Sequence, residues 1–130
     1  MRVLSLTLDL ELSEFRKYVI TAAGHEVTSI TSEKEATSAT QNGENYGVAF
    51  VCHRFPAAAA RQFIRLLRQQ HSDTKVVYIV RMYGEWPEVE ADRYIAGADG
   101  PKALLRVLEE LGAKPTSETK IGTSKSAELC

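Results

Sequence analysis

Apolar positions along this chain change their period several times, and each change marks an element. Arg2 to Leu8 is rich in β-forming residues and reads as a first strand. From Leu10 the spacing becomes helical: Leu12, Phe15, Val19 and Ala22 form the expected inner stripe, and Gly24 supplies the stop. Glu26 to Ile30 is a short second strand. Ser32 to Thr40 is a polar helix with Ser32 as N-cap and Glu35 as its capping-box partner. Gln41-Asn42-Gly43 marks a turn. The run from Tyr46 to Val51 or Cys52 is apolar without alternation, the pattern of a strand covered on both faces.

Pro56 then introduces a helix from Ala57 to Gln70, with Phe63, Ile64, Leu66 and Leu67 among its apolar positions. Lys75 to Val80 is a second continuously apolar strand. Met82 to Asp92 is irregular, broken by Gly84 and Pro87, and Arg93 to Ala96 gives a short fifth strand. Pro101 starts a last helix whose stripe is Leu104, Leu105, Leu108 and Leu111, ended by Gly112. Strands alternating with helices predict an α/β domain over residues 1–112. The expected architecture is a flavodoxin-like, doubly wound, five-stranded parallel sheet of order 2-1-3-4-5, with the helix between strands four and five shortened or lost. Residues 113–130 are polar, rich in Ser, Thr and Lys, and read as a disordered tail.

Composition narrows the function. At 130 residues and 44% apolar, the chain suffices for one domain with a real core. A formal net charge of −1 speaks against nucleic acid or an anionic membrane as partner. No stretch is apolar enough to span a bilayer, and Met1-Arg2 leads directly into the first strand without signal-peptide logic, so a cytoplasmic location is expected. Cys52 and Cys130, at a strand end and in the tail, make a poor disulfide framework.

In doubly wound sheets ligands gather at the carboxyl ends of the strands, where Cys52 and His53 fall. As adjacent residues on a strand, Cys52 and His53 are expected on opposite faces, which argues against a dyad or a zinc pair. Cys52 is taken as a small buried hydrophobe rather than a reactive thiol, although Arg54 and the helix after Pro56 offer positive charge. His25 and His71 read as surface turn residues. Arg61, Arg65 and Arg68 share one helix face. With Tyr83 and Trp86 they are the candidate partner surface, against the plainer reading of a solvated face.

Several runs, in order, resemble a CheY-like response-regulator receiver domain over roughly Arg2 to Gly112. They are Arg2-Val3-Leu4, Ala23-Gly24-His25-Glu26-Val27, Tyr46-Gly47-Val48-Ala49-Phe50-Val51 with Pro56 after it, and Lys75-Val76-Val77-Tyr78-Ile79. Tyr94 matches the aromatic of the fifth strand. The resemblance implies a magnesium-dependent phosphoacceptor site, and this chain departs from it at every functional position. Thr7 and Leu8 stand for the acidic metal pair, with Asp9 one residue displaced. Cys52 stands for the phosphoacceptor aspartate, Val80 for the switch hydroxyl and Gly97 for the lysine; Lys102, nearby, falls inside the last helix.

Hard cations need carboxylate oxygens, and phosphoryl transfer needs counter-charge. The chain is therefore expected to be a degenerate pseudo-receiver: no enzyme, no metal and no cofactor, acting in two-component or phosphorelay-type signalling through contact with another signalling protein, self-association included. The alternative is a small-molecule or thiol-redox sensor whose crevice is lined by Thr7, Cys52 and Gly97. A third reading, a conventional receiver using Asp9 or another acid as a surrogate, needs a rearranged loop.

Overall fold

The computed structural model of the chain describes residues 1–41, 44–82 and 89–112. Five strands run parallel: β1 (Arg2–Leu6), β2 (Glu26–Ile30), β3 (Val48–Cys52), β4 (Lys75–Val80) and β5 (Arg93–Ala96). Their order is β2-β1-β3-β4-β5, as the alternation predicts. The helices are α1 (Leu10–Ala22), α2 (Glu33–Gln41), α3 (Ala57–Gln70) and α4 (Pro101–Gly112), with a single 3-10 turn at Gly97–Asp99. No helix among the described residues is long and apolar enough to cross a membrane.

Side chains alternate across a strand, so each strand feeds two cores. Val3, Val48, Phe50, Val77 and Ile79 face α1 and α4, where Ile20, Leu104, Val107 and Leu108 meet them. Leu4, Leu6, Ala49, Val51, Val76 and Tyr78 face α2 and α3, where Ala36, Ala60, Phe63, Ile64 and Leu67 pack. β3 is buried at every position, which accounts for its lack of alternation.

Local chemistry sets the element ends. Thr7 N–H still donates to the Ile30 carbonyl at 3.1 Å, but β1 stops at Leu6, two residues short of the expected end. The chain turns there because Asp9 caps α1, its Oδ1 accepting from Leu12 N–H at 3.1 Å. At the other end of α1, Gly24 has φ +97°, the left-handed conformation that lets the chain leave the helix for β2. Ser32 Oγ accepts from Glu35 N–H, while Glu35 returns to the backbone N–H and hydroxyl of Thr31, one residue earlier than a standard capping box. His71 is more than a turn residue: its ring nitrogen lies 3.2 Å from the Thr40 carbonyl and its edge meets Tyr46.

α1 departs from the expected stripe. Phe15 is 49% exposed and Ala22 is exposed; Leu12 and Val19 are half-buried. The residues turned to the sheet are Ser13, Arg16 and Ile20. Ile20 joins the Val3 cluster, and the helix accepts a polar pair beside it to bring that residue in.

Between β4 and β5 no helix occurs among the described residues; Tyr83, Gly84, Trp86 and Pro87 lie outside them, as do residues 113–130. The segment 89–92 that leads into β5 acts as a strap over the sheet. Val89 is buried in the α3-side core, and Ala91 packs against it. Asp92 N–H donates to the Val76 carbonyl at 2.8 Å, and Val76 N–H donates to Asp92 Oδ2 at 2.7 Å. Tyr94 holds the strap from β5: its hydroxyl donates to the Val89 carbonyl at 2.7 Å and accepts from Ala91 N–H at 3.0 Å.

Tyr94→Phe removes both bonds and leaves two backbone groups to water. The expected loss is about 1 kcal/mol, a fall of roughly 4–8 °C in thermal midpoint. Faster amide exchange at Ala91 measures the loosened strap.

Candidate functional site

The carboxyl ends of β1, β3 and β4 bring three loops together. Thr7 is fully buried, and its Oγ1 accepts from Asp9 N–H at 3.2 Å, which closes a tight turn. Leu8 points outward and is 41% exposed. The carboxylate of Asp9 is engaged on both oxygens: Oδ1 by the backbone of Leu12, Oδ2 by the guanidinium of Arg54 at 2.9 Å. The Leu12 N–H, followed by the Arg54 side chain, holds the Asp9 carboxyl below the usual aspartate value.

Cys52 ends β3 and is fully buried. Its sulfur accepts from Arg54 N–H at 3.5 Å and lies 3.8 Å from His53 Nδ1. The expectation that Cys52 and His53 point apart fails here. β3 ends at Cys52, and His53 already belongs to the turn closed by Phe55 N–H on the Cys52 carbonyl at 2.9 Å, so strand alternation no longer applies. His53 N–H in turn donates to the Ile79 carbonyl at 3.0 Å, which ties this turn to β4.

Val80 is buried at the end of β4 and carries no hydroxyl. Gly97 opens the 3-10 turn after β5, so no side chain reaches the crevice from that position, and Lys102 is exposed on α4.

These residues do not fit a magnesium site. A hard dication wants several anionic oxygens in octahedral array. Among the described residues the crevice offers one carboxylate, already capping a helix and paired to a guanidinium, together with a hydroxyl turned to the backbone and a soft thiol. Among the described residues no group of three His, Cys, Asp or Glu side chains is placed to hold a metal ion. The Asp9–Arg54 pair joins residues 45 positions apart and puts a fixed positive charge beside the only carboxylate in this crevice among the described residues.

The other candidate surface lies on α3. Arg61, Arg65 and Arg68 are exposed along one helix face and line, with Ile64, Val89 and Glu90, an open groove of about 310 Å³ between α3 and the strap. Arg68 also approaches Asp92 at 3.6 Å. Of the expected partner residues, Tyr83 and Trp86 lie outside the described residues.

Sequence reasoning missed Arg16 altogether. It is 5% exposed on the inner face of α1, and its Nη1 makes no hydrogen bond. The signal was available as the i, i+3, i+7 set Ser13, Arg16, Ile20, but the more apolar set one position away outweighed it.

No family model and no curated protein matches the sequence. Solved structures match the fold closely. The response regulator TrrA from Thermotoga maritima, in complex with Mg²⁺-BeF, superposes with a TM-score of 0.69 at 18% identity, covering 85% of this chain and 97% of that one. The chemotaxis protein CheY4 from Vibrio cholerae gives 0.72 at 19% identity over 85% and 97%. The Francisella response regulator 1452 receiver domain gives 0.70 at 22% identity over 85% and 94%. The chain has the CheY-like receiver fold: five parallel strands in the order 2-1-3-4-5 with helices on both faces.

Proposed function

We propose that this receiver-fold domain is a signalling module that works by binding another protein, without phosphorylation and without a catalytic step of its own. The observation that carries the reading is the Asp9–Arg54 pair. A phosphoacceptor crevice needs a bound metal cation to neutralise the incoming phosphoryl oxygens, and an oxygen nucleophile in line with the leaving group. Here Arg54 already neutralises the carboxylate, and the position at the end of β3 is a buried thiol. The Asp9 carboxylate is charge-balanced by the Arg54 guanidinium.

The arginine face of α3 is the surface on which such a module would meet an acidic partner, since exposed guanidinium groups at helical spacing suit bidentate pairing with carboxylates. The alternative, a thiol-redox sensor, has the 3.8 Å Cys52–His53 contact in its favour. The full burial of the sulfur stands against it, because attack on an oxidant needs access as well as thiolate character.

The test is incubation of the protein with acetyl phosphate and Mg²⁺, followed by intact-mass spectrometry. The expected result is an unchanged mass. Stoichiometric, alkali-labile phosphate on the chain would overturn the reading. Rapid labelling of folded protein at Cys52 by a thiol reagent at neutral pH would favour the redox alternative.

A further inference from the structure

Among the described residues Arg16 has no counter-charge. It projects from the sheet-facing side of α1, is 5% exposed, and among the described residues forms neither an ion pair nor a hydrogen bond through its sealed Nη1. A guanidinium stays charged at any working pH, and an unpaired buried charge is among the most destabilising features a fold carries. A sequence that keeps one there without a carboxylate leaves room for an anion from solution.

The room exists. Beside Arg16 is a narrow crevice of about 50 Å³ between α1 and the β5–α4 junction, walled by Leu12, Phe15, Gly97, Gly100, Pro101 and Leu104. One water needs roughly 10–15 Å³ by the same kind of measure, so the space suits a few-atom anion. Arg16 Nη2 lies 3.9 Å from the point a Cβ on Gly97 would occupy, which puts the guanidinium at the crevice wall under the glycine. The first turn of α4 forms another wall, and the partial positive charge of its N-terminus adds to that of Arg16.

We propose that Arg16 and the start of α4 form a binding site for the carboxylate of a small organic acid. Nη2, on the crevice side of the guanidinium, offers a carboxylate a charge-assisted hydrogen bond. The remaining walls are aliphatic or aromatic, which suits a short hydrocarbon tail. A phosphate dianion would meet one cation and few donors there, and its second charge would stay uncompensated. The site uses neither Asp9, Cys52 nor the α3 arginines, so it stands or falls independently of the signalling reading. It lies where β5 passes into α4, and occupancy would fix that junction against α1.

The experiment is a titration of the full ¹⁵N-labelled chain with sodium propionate at constant ionic strength, with inorganic phosphate and chloride as parallel arms. Propionate is expected to shift the Arg16 Nε–H signal and the amides of Gly97, Gly100 and Lys102 saturably. It should also raise the thermal midpoint by about 5 °C per tenfold step above its dissociation constant. Arg16→Met should abolish the response and, without ligand, melt about 5 °C above the wild type, because it removes an unpaired buried charge.

Gly97→Ala keeps Arg16 and makes only ordinary contacts of 3.6 to 3.9 Å. Its methyl intrudes on the crevice, so binding should be roughly threefold weaker. That variant decides the matter if Arg16→Met does not fold. The proposal is overturned by the absence of a saturable response in the wild type, by an equal response in either variant, or by saturation with phosphate or chloride but not propionate.

Discussion

Replacing Cys52 with aspartate lowers the thermal midpoint by about 12 °C or more at pH 7 and does not create magnesium binding. The side chain at this position is fully buried, and the hydrogen-bond donor the backbone offers it is Arg54 N–H, 3.5 Å from the sulfur. An ionised carboxylate placed there exchanges water for a mostly apolar shell, a cost of about 3 kcal/mol. The acidic neighbours that share a metal with the phosphoacceptor in the resembled family are here a buried hydroxyl, an outward leucine and a carboxylate already bound to Arg54.

The pH dependence identifies the cause. Burial raises the folded-state pKa of the new carboxyl above its unfolded value of roughly 3.9. The penalty is therefore complete above the folded pKa, shrinks as the pH falls through it, and vanishes below the unfolded pKa. The measurement is the difference in melting temperature between Cys52→Asp and wild type from pH 7 to pH 4, with and without Mg²⁺. A magnesium-dependent rise of the mutant midpoint would mean that the loops can rebuild the missing site.

Phe50→Ala and Phe15→Ala should separate by about 3–4 kcal/mol, a large fraction of the domain's stability. Phe50 lies at the centre of β3, buried in the core shared by α1 and α4. Truncation there costs about 3–5 kcal/mol through lost transfer energy and the cavity left behind, against a total of roughly 5–15 kcal/mol for a domain. Phe15, on the outer side of α1, should change stability by no more than about 0.5 kcal/mol. Urea midpoints of the two variants measure the contrast. Comparable losses would mean that α1 is rotated in solution to bury the Leu12–Phe15–Val19–Ala22 stripe.

That rotation marks the limit of what the sequence discloses. The strand order, the continuously buried β3, the Gly24 exit from α1 and the Ser32–Glu35 cap were legible because each depends on local chemistry or on a period close to that of its element. α1 was not, because two apolar faces compete along it, and tertiary contact with Val3 favours the one holding Ile20. In the crevice, Cys52 was legible as a strand end, and Thr7, Val80 and Gly97 through the family resemblance. The Asp9–Arg54 pair was not: it is a contact between two loops brought together only by the β1–β3 pairing. Tyr94 was identified by a family pattern, and its observed work is fastening the strap, which no local signal announces.

The groove lined by the α3 arginines has Val89 as part of its floor, and the carbonyl of that same residue is held by the Tyr94 hydroxyl. A ligand seated among the guanidinium groups therefore rests on a latch whose keeper sits on the outermost strand. Pressure on Val89 would bear on the two hydrogen bonds of the Tyr94 hydroxyl, and the path from the arginine face to the sheet edge is one residue long.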